Sequence, residues 1–498
     1  MAKRRSFSQL AGKTLSSSVA KTLRETFGFA ALRPGQDEVI RSIAAGQDTL
    51  AIMATGAGKS LCYQLPALAL PGTTLIVSPL IALMKDQQEK LVELGLQAAL
   101  FNSTLSASEE AEALQRLLAG ELEFVFVTPE RLARSEFIDA LKTIRIDFIV
   151  IDEAHCISQW GHDFRPAFLH IGQAVGDLGR PPILALTATA TDEIIADIKL
   201  QLDRPDMRVL NTSIYRPNLA LRVEHVTQPA EKQQILLEQL AEGDTSIVYA
   251  ATIKTAEAIH QFLLANGVEA LLYHGRLPSK QRHENQDRFM AGEVKVIVAT
   301  SAFGMGIDKA DIRQIIHFEF PATVEAYYQE AGRGGRDGEL AECLLLYDLA
   351  DQRTQKYFLG GRYPTRRDIG KVYRTLEDMG GSQREAVSTK ALRQALKPMP
   401  RGKQDVILAV LRRDRLVELA DEHWRVSVQG NTGEHLDTLA ARFEAVALAD
   451  QDKLDQMMHY AQNAQCRWCF LLEYFGEAAP FERCGHCDNC LEPVELVA

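Results

Sequence analysis

The sequence lacks any run of about 18 uncharged apolar residues, the length a bilayer-spanning helix needs, and its basic N-terminus, MAKRRSFSQL, lacks the apolar stretch that secretion requires. Both absences lead us to expect a cytoplasmic protein with no membrane contact. An excess of positive charge is missing too, because the formal net charge is -11. That excludes a uniformly basic coat but not a local basic track. Low-complexity tracts are absent, and the apolar share of 46% and charged share of 24% exclude wholesale disorder and a fibrous architecture. Cysteine is scarce over most of the chain: Cys62, Cys156 and Cys343 stand alone in apolar or motif-flanking contexts and read as small buried side chains.

What is present is length and a repeated pattern. A chain of 498 residues exceeds one hydrophobic core, so several domains are expected. After an N-terminal extension over 1–21, β-rich runs (TLAIM, TLIVSPL, FVFVTPE, FIVIDE, ILALTAT) alternate with amphipathic stretches over 22–210, the mark of a parallel sheet wrapped by helices. The pattern repeats over 211–358 with SIVYAA, ALLYH, VKVIVAT, QIIHFEF and CLLLYD. The expected fold class is therefore α/β, with two tandem parallel-sheet domains.

LGGRYP at 359–364 then breaks the periodicity. Residues 361–430 carry 15 Lys and Arg against 9 Asp and Glu, a local excess of six positive charges. Within them RRDIGKVYRTLEDM, VSTKALRQAL and KQDVILAVLRRDR read as helices and LVELADEHWRVSV as two strands around an acidic turn. This predicts a winged-helix-like region over 359–432, with a small helical connector as the alternative.

The run ATGAGKS at 54–60 sits between a strand and a helix, as a phosphate cradle requires. Thr55, Gly56, Ala57 and Gly58 would bring backbone N–H groups to phosphate oxygens, Lys59 a point charge to the β and γ phosphates, and Ser60 a ligand for Mg²⁺. Met53 stands where the first glycine is usual. FIVIDEAH at 148–155 supplies the partner: Asp152 to hold Mg²⁺ and Glu153 to orient and deprotonate a water. Upstream, FGFAALRPGQ contributes Phe27, Arg33 and Gln36, suited to stacking on an adenine and bonding its edge. In the second domain QEAGRGGRDG presents Gln329, Arg333 and Arg336, with Arg336 as an arginine finger that neutralises phosphoryl charge when the domains close. The expected cofactors are ATP and Mg²⁺.

The last 33 residues hold five of the eight cysteines, Cys466, Cys469, Cys484, Cys487 and Cys490. Local clustering with C-x-x-C spacing points to a tetrahedral Zn²⁺ site in a helical subdomain over 433–498. Free thiols are the bland alternative. His486 lies between two of the cysteines in a place that suits it poorly as a ligand.

Taken in order, FGFAALRPGQ, ATGAGKS, SPLIALMKDQ, TPERL, IDEAH, TATA, ATSAFGMGIDK and QEAGRGGRDG resemble the motifs of RecQ-type superfamily 2 DNA helicases over most of residues 22–350. The resemblance implies two RecA-like domains and ATP-dependent 3′-to-5′ unwinding of forked or 3′-tailed DNA by a monomer. It implies single-stranded and duplex DNA as partners, with repair or single-strand-binding proteins beside them. CISQWGHDFRP resembles the family's aromatic-rich loop, making Trp160, Phe164 and Arg165 sensors of single-stranded DNA. Thr187, Thr189, Gly306 and Asp308 would relay nucleotide state. The family's CRR…LLxYFGE…CGxCDNC pattern selects Cys466, with Cys484, Cys487 and Cys490, as the zinc ligands. In familiar bacterial relatives the zinc subdomain follows the motor directly and a winged helix comes after it. Here the order is inverted, and the eight residues after Cys490 lead us to expect no further domain. We therefore expect His423 or Trp424, near the tip of the displaced hairpin, to help part the duplex. A translocase that does not separate strands, an RNA motor, and a zinc and winged-helix DNA-binding regulator are the competing readings.

Overall fold

A computed structural model describes residues 17–158, 166–304, 307, 309–360, 363–380, 385–420, 422–427 and 432–493. Among them no helix is long and apolar enough to cross a membrane. The chain divides into two compact units, one running through Asp351 and resuming at Met458, the other comprising Gln352–Met457.

The first unit holds both parallel sheets. The strands of the first are β1 (Thr49–Ile52), β2 (Thr73–Val77), β3 (Ala98–Phe101), β4 (Phe124–Val127), β5 (Ile146–Ile151), β6 (Ile183–Thr187) and β7 (Arg208–Asn211), in the order β3-β4-β2-β5-β6-β1-β7. Successive side chains of a strand point to opposite faces, and both faces are covered. Leu50, Ile52, Val77 and Ile149 accordingly enter one core, and Ala51, Met53, Ile76 and Val150 the other. The helix Ser17–Glu25 buries Val19 and Leu23 in the second of these cores, so the domain begins before residue 22.

The second sheet runs β10-β11-β9-β12-β13-β8, from β8 (Leu219–His225), β9 (Ser246–Tyr249), β10 (Ala270–Tyr273), β11 (Val296–Ala299), β12 (Gln314–His317) and β13 (Ala341–Tyr347). Every pairing in both sheets is parallel. The runs expected as strands are all strands. Reading for apolar runs missed β3, β7 and β8. All three are edge strands, and β7 and β8 carry exposed or half-exposed charged residues, which dilutes the apolar signal.

In the second unit the order is helix Arg366–Gly380, β14 (Val387–Ser388), helices Thr389–Ala395 and Arg401–Arg413, then the hairpin β15 (Val417–Ala420) and β16 (His423–Val426), with β16 central in an antiparallel sheet. This winged-helix-like order matches the expected helices and hairpin and adds the two-residue strand β14. The division expected between 432 and 433 falls at the start of the helix Thr432–Gln462. The first half of that helix buries Leu436, Leu439 and Phe443 in this unit's core, at a spacing that puts them on one helical face, and the first unit resumes at Met458 within the same helix.

Candidate active site and metal centre

Where β1 ends, the chain turns through Gly56 at φ 83° and Gly58 at φ 81°, a left-handed conformation that glycine adopts without the Cβ penalty. The turn is held from below by Gln36, which is buried. Its Nε2 donates to the carbonyls of Ala57 and Gly58 at 3.1 and 2.9 Å, and its Oε1 accepts the Arg33 N–H at 2.7 Å. A Cβ at Gly58 would lie 2.6 Å from that Nε2, so a larger residue there would displace the amide that braces the turn. Arg33 donates to the Gly56 carbonyl. The side-chain amide expected to read an adenine edge is thus engaged in bracing the phosphate loop.

Beside this loop β5 delivers Asp152 and Glu153. Burial, reinforced by the neighbouring Glu153, pushes the Asp152 carboxyl up to about 7, with Lys59 pulling the other way. Glu153 takes a left-handed φ of 50°, unusual for a residue with a side chain, which turns the chain sharply out of the strand. Its N–H donates to Asp152 Oδ1 at 3.0 Å, and its Oε2 lies 3.4 Å from His155 Nδ1. The same Nδ1 is 3.0 Å from Thr187 Oγ1, and Thr187 donates to the Thr189 carbonyl at 2.9 Å. Two of the expected relay residues therefore connect to the acidic pair through His155.

The second lobe meets the phosphate loop at Gly332, where a Cβ would lie 3.0 Å from Thr55 Cβ. The Arg336 side chain approaches Gly56, its Cγ 3.3 Å from where a Cβ would be. Arg333 is buried and donates to the Gly304 carbonyl. The resulting cleft of about 690 Å³ is lined by Phe27, Arg33, Gln36, Thr55, Gly56, Gly58, Lys59, Ser60, Asp152 and Glu153 from one lobe and Gln329, Arg333 and Arg336 from the other. Of the residues expected at the nucleotide, only Ala57 is absent from this lining. Sequence reasoning missed Phe29, which also lines the cleft, and Arg216, which bonds to loops of both lobes. Trp160, Phe164, Arg165, Gly306 and Asp308 lie outside the described residues.

In the same unit, Cys466, Cys484, Cys487 and Cys490 place their sulfurs within 4.8 Å of one another. Tetrahedral zinc with Zn–S bonds of about 2.3 Å requires sulfur separations of about 3.8 Å. The Cys484–Cys490 and Cys466–Cys487 pairs stand at 3.9 and 4.0 Å, so the donor set fits that ion. Cys469 does not join them: its sulfur donates to the carbonyls of Phe481 and Glu482, each at 3.3 Å, and burial pushes its thiol up to about 12. The Cys466 thiol moves the other way, drawn down to about 3 chiefly by the hydrogen bond from Cys487. His486 Nδ1 pairs with the Cys484 carbonyl at 2.8 Å.

This cluster is tied to the edge strand β8. Trp468 Nε1 donates to the Leu219 carbonyl at 3.1 Å, and Asp488 accepts the Val223 N–H at 2.9 Å. Arg467 joins Asp488 from the adjoining helix at 2.9 Å. An edge strand otherwise offers unpaired backbone groups, and these contacts satisfy some of them.

Three family models match the chain: DEAD/DEAH box helicase over 33–198, helicase conserved C-terminal domain over 231–338, and RecQ zinc-binding over 438–491. The ATP-dependent DNA helicase RecQ of Bacillus subtilis is 38% identical over 474 residues, covering 94% of this chain and 66% of the relative. The probable ATP-dependent DNA helicase RecS of the same organism is 44% identical over 362 residues, covering 72% of each chain. The chain thus spans 66% of the length of that RecQ and 72% of RecS. The helicase Lhr of Mycobacterium smegmatis, solved with ssDNA and AMP-PNP, shares the fold at a TM-score of 0.57 and 20% identity, covering 83% of this chain and 60% of that one. A phosphate loop facing an acidic strand end, a second lobe carrying paired arginines and a four-cysteine cluster agree with these matches, and the chain belongs to the RecQ family of ATP-dependent DNA helicases.

Proposed function

We propose that the chain is an ATP-driven DNA helicase that moves 3′ to 5′ along a single strand and separates the duplex ahead of it. The observation that carries this reading is the convergence of Lys59, Asp152 and Glu153 from one lobe and Gln329, Arg333 and Arg336 from the other on a single cleft. The phosphate loop holds the β and γ phosphates through its N–H groups and Lys59. Ser60 and Asp152 hold Mg²⁺, which supplies charge compensation on the phosphate oxygens. Glu153 takes a proton from the attacking water as the water oxygen bonds to the γ phosphorus and the bond to ADP breaks. Arg336 reaches the γ phosphate from the opposite lobe, so hydrolysis requires closure and its products favour opening. That cycle advances the lobes along DNA.

The substrate class follows from kinship with proteins named DNA helicases, and Trp160, Phe164 and Arg165 are the side chains we assign to the single strand. Zn²⁺ on Cys466, Cys484, Cys487 and Cys490 has no open coordination position, so its role is structural.

The test is ATP-dependent unwinding of a duplex with a 3′ tail, beside a 5′-tailed control and Glu153→Gln. We expect unwinding of the 3′-tailed substrate alone, abolished by the substitution while nucleotide still binds. DNA-stimulated hydrolysis without strand separation would identify a translocase instead.

A further inference from the structure

Arg216 lies in the segment that leads from β7 into β8, and no motif accounts for it. Its Nη1 donates to the Gly332 carbonyl at 2.7 Å, and its Nη2 to the carbonyls of Gly334 and Gly335 at 2.9 and 2.6 Å. Nη1 also lies 3.5 Å from the carbonyl of Thr55, the residue before Gly56 in the phosphate loop. These four acceptors are all main-chain carbonyls. The guanidinium therefore shapes two loops, and its planar fork suits several acceptors at once where a single ammonium does not. Asn218, two residues on, donates to the carbonyls of Gly335 and Glu339 at 2.7 and 2.8 Å.

The loop so held is GRGGR. Its glycines carry little conformational preference of their own. The N–H groups of Gly332, Arg333 and Gly334 close on the carbonyls of Tyr328, Glu330 and Ala331 at the end of the helix Val324–Ala331, and Gly335 N–H bonds to the Ile312 carbonyl. The loop's own carbonyls at Gly332, Gly334 and Gly335 are the groups that Arg216 holds. Arg336 follows directly after the clamped carbonyl of Gly335. On the other side, a Cβ at Gly56 would stand 3.3 Å from Arg336 Cγ and 3.7 Å from Arg216 Nη1. Arg216 and Arg336 thus share one junction between the lobes.

We propose that Arg216 is a positioning residue that couples closure of the lobes to placement of Arg336. Three of its contacts hold the glycine loop within the second lobe, and the contact to Thr55 forms when the phosphate loop is in place. The proposal rests on the reading of Arg336 as the finger.

DNA-stimulated ATP hydrolysis on an oligo(dT) strand and the affinity for a fluorescent ADP test it, across wild type, Arg216→Ala, Arg336→Ala and the double variant. Arg216→Ala is expected to lower kcat on the order of tenfold to a hundredfold, as misplacement of a catalytic group does, with KM and ADP affinity little changed. The double variant should be no slower than Arg336→Ala, because one group acts through the other. Arg216→Lys should recover part of the rate, and it carries the comparison if the alanine variant does not fold. A wild-type kcat in Arg216→Ala beside a slow Arg336→Ala overturns the proposal alone. So does a loss borne by KM and ADP affinity, or losses that multiply in full in the double variant. An unimpaired Arg336→Ala overturns the finger reading and the proposal with it.

Discussion

His155 Nδ1 stands 3.0 Å from the hydroxyl of Thr187, and that hydroxyl donates its own proton to the Thr189 carbonyl, so the imidazole must be the donor. The same nitrogen faces Glu153 Oε2 at 3.4 Å. The residue assigned to activate water and the segment assigned to relay nucleotide state therefore lie against one buried imidazole, whose Nδ1–H is spent on Thr187.

Thr187→Val keeps the side-chain shape and removes that acceptor, leaving a buried imidazole N–H and a carbonyl less well satisfied. We expect a loss of stability of about 1–3 kcal/mol, read as a lower Tm. The kcat of DNA-stimulated hydrolysis should fall on the order of tenfold or more at unchanged nucleotide affinity, and Thr187→Ser should restore it. A valine variant that matches wild type in both would remove this hydrogen bond from the coupling.

The pH dependence of cation binding follows from Asp152. Burial and Glu153 push its carboxyl up to about 7, so below that pH it is mainly protonated. A divalent cation needs the carboxylate, and binding must expel the proton. The apparent affinity for Mg²⁺ with ADP should therefore fall by about tenfold per unit as pH drops below 7 and level off above it. Titrations of fluorescent ADP in Mg²⁺ at pH 6, 7 and 8 measure the slope, corrected for the protonation of free ADP. Asp152→Asn should abolish it, and a wild-type slope no steeper than that of free Mg²⁺ and ADP would exclude Asp152 as a ligand.

Substitution should separate the cysteines. Serine at Cys466, Cys484, Cys487 or Cys490 should lower the zinc content of the purified protein and its Tm, since a structural site contributes its binding energy to the fold. Cys469→Ser should retain the full complement, because that thiol is spent on the carbonyls of Phe481 and Glu482. Metal analysis that shows zinc lost with Cys469 and kept with Cys466 would reverse the assignment.

The parts of this molecule legible from sequence are those where chemistry demands a residue type at a short fixed spacing. Lys59 with its glycines, the Asp152–Glu153 pair at a strand end and the clustered cysteines are of that kind, although the choice of Cys466 over Cys469 came from the family resemblance, and the buried strands announce themselves as apolar runs. Edge strands such as β7, with two of its four residues exposed, do not. Gln36 was legible as a residue near the nucleotide, but the loop carbonyls it braces leave no local trace. Arg216 was invisible for the same reason, because its acceptors at Gly332, Gly334 and Gly335 lie 116 to 119 residues farther along the chain.

The hairpin of the second unit divides the two residues that the sequence offered together as a wedge. Trp424 points inward, 7% exposed in the apolar core, with its Nε1 donating to Thr389 Oγ1 at 3.0 Å. It is a core side chain and cannot touch the duplex. His423 is exposed at the start of β16, next to Glu422 at φ 61°. The Glu422 carbonyl accepts from both Thr389 N and Thr389 Oγ1, at 2.9 and 2.8 Å, which ties the start of β16 to the helix Thr389–Ala395. Trp424→Ala should cost this unit about 3–5 kcal/mol and appear in thermal or denaturant unfolding. His423→Ala should leave unfolding and DNA-stimulated ATP hydrolysis unchanged and slow only strand separation. Unwinding at the wild-type rate in His423→Ala would show that the tip does not part the duplex, and would leave that task to another part of the chain.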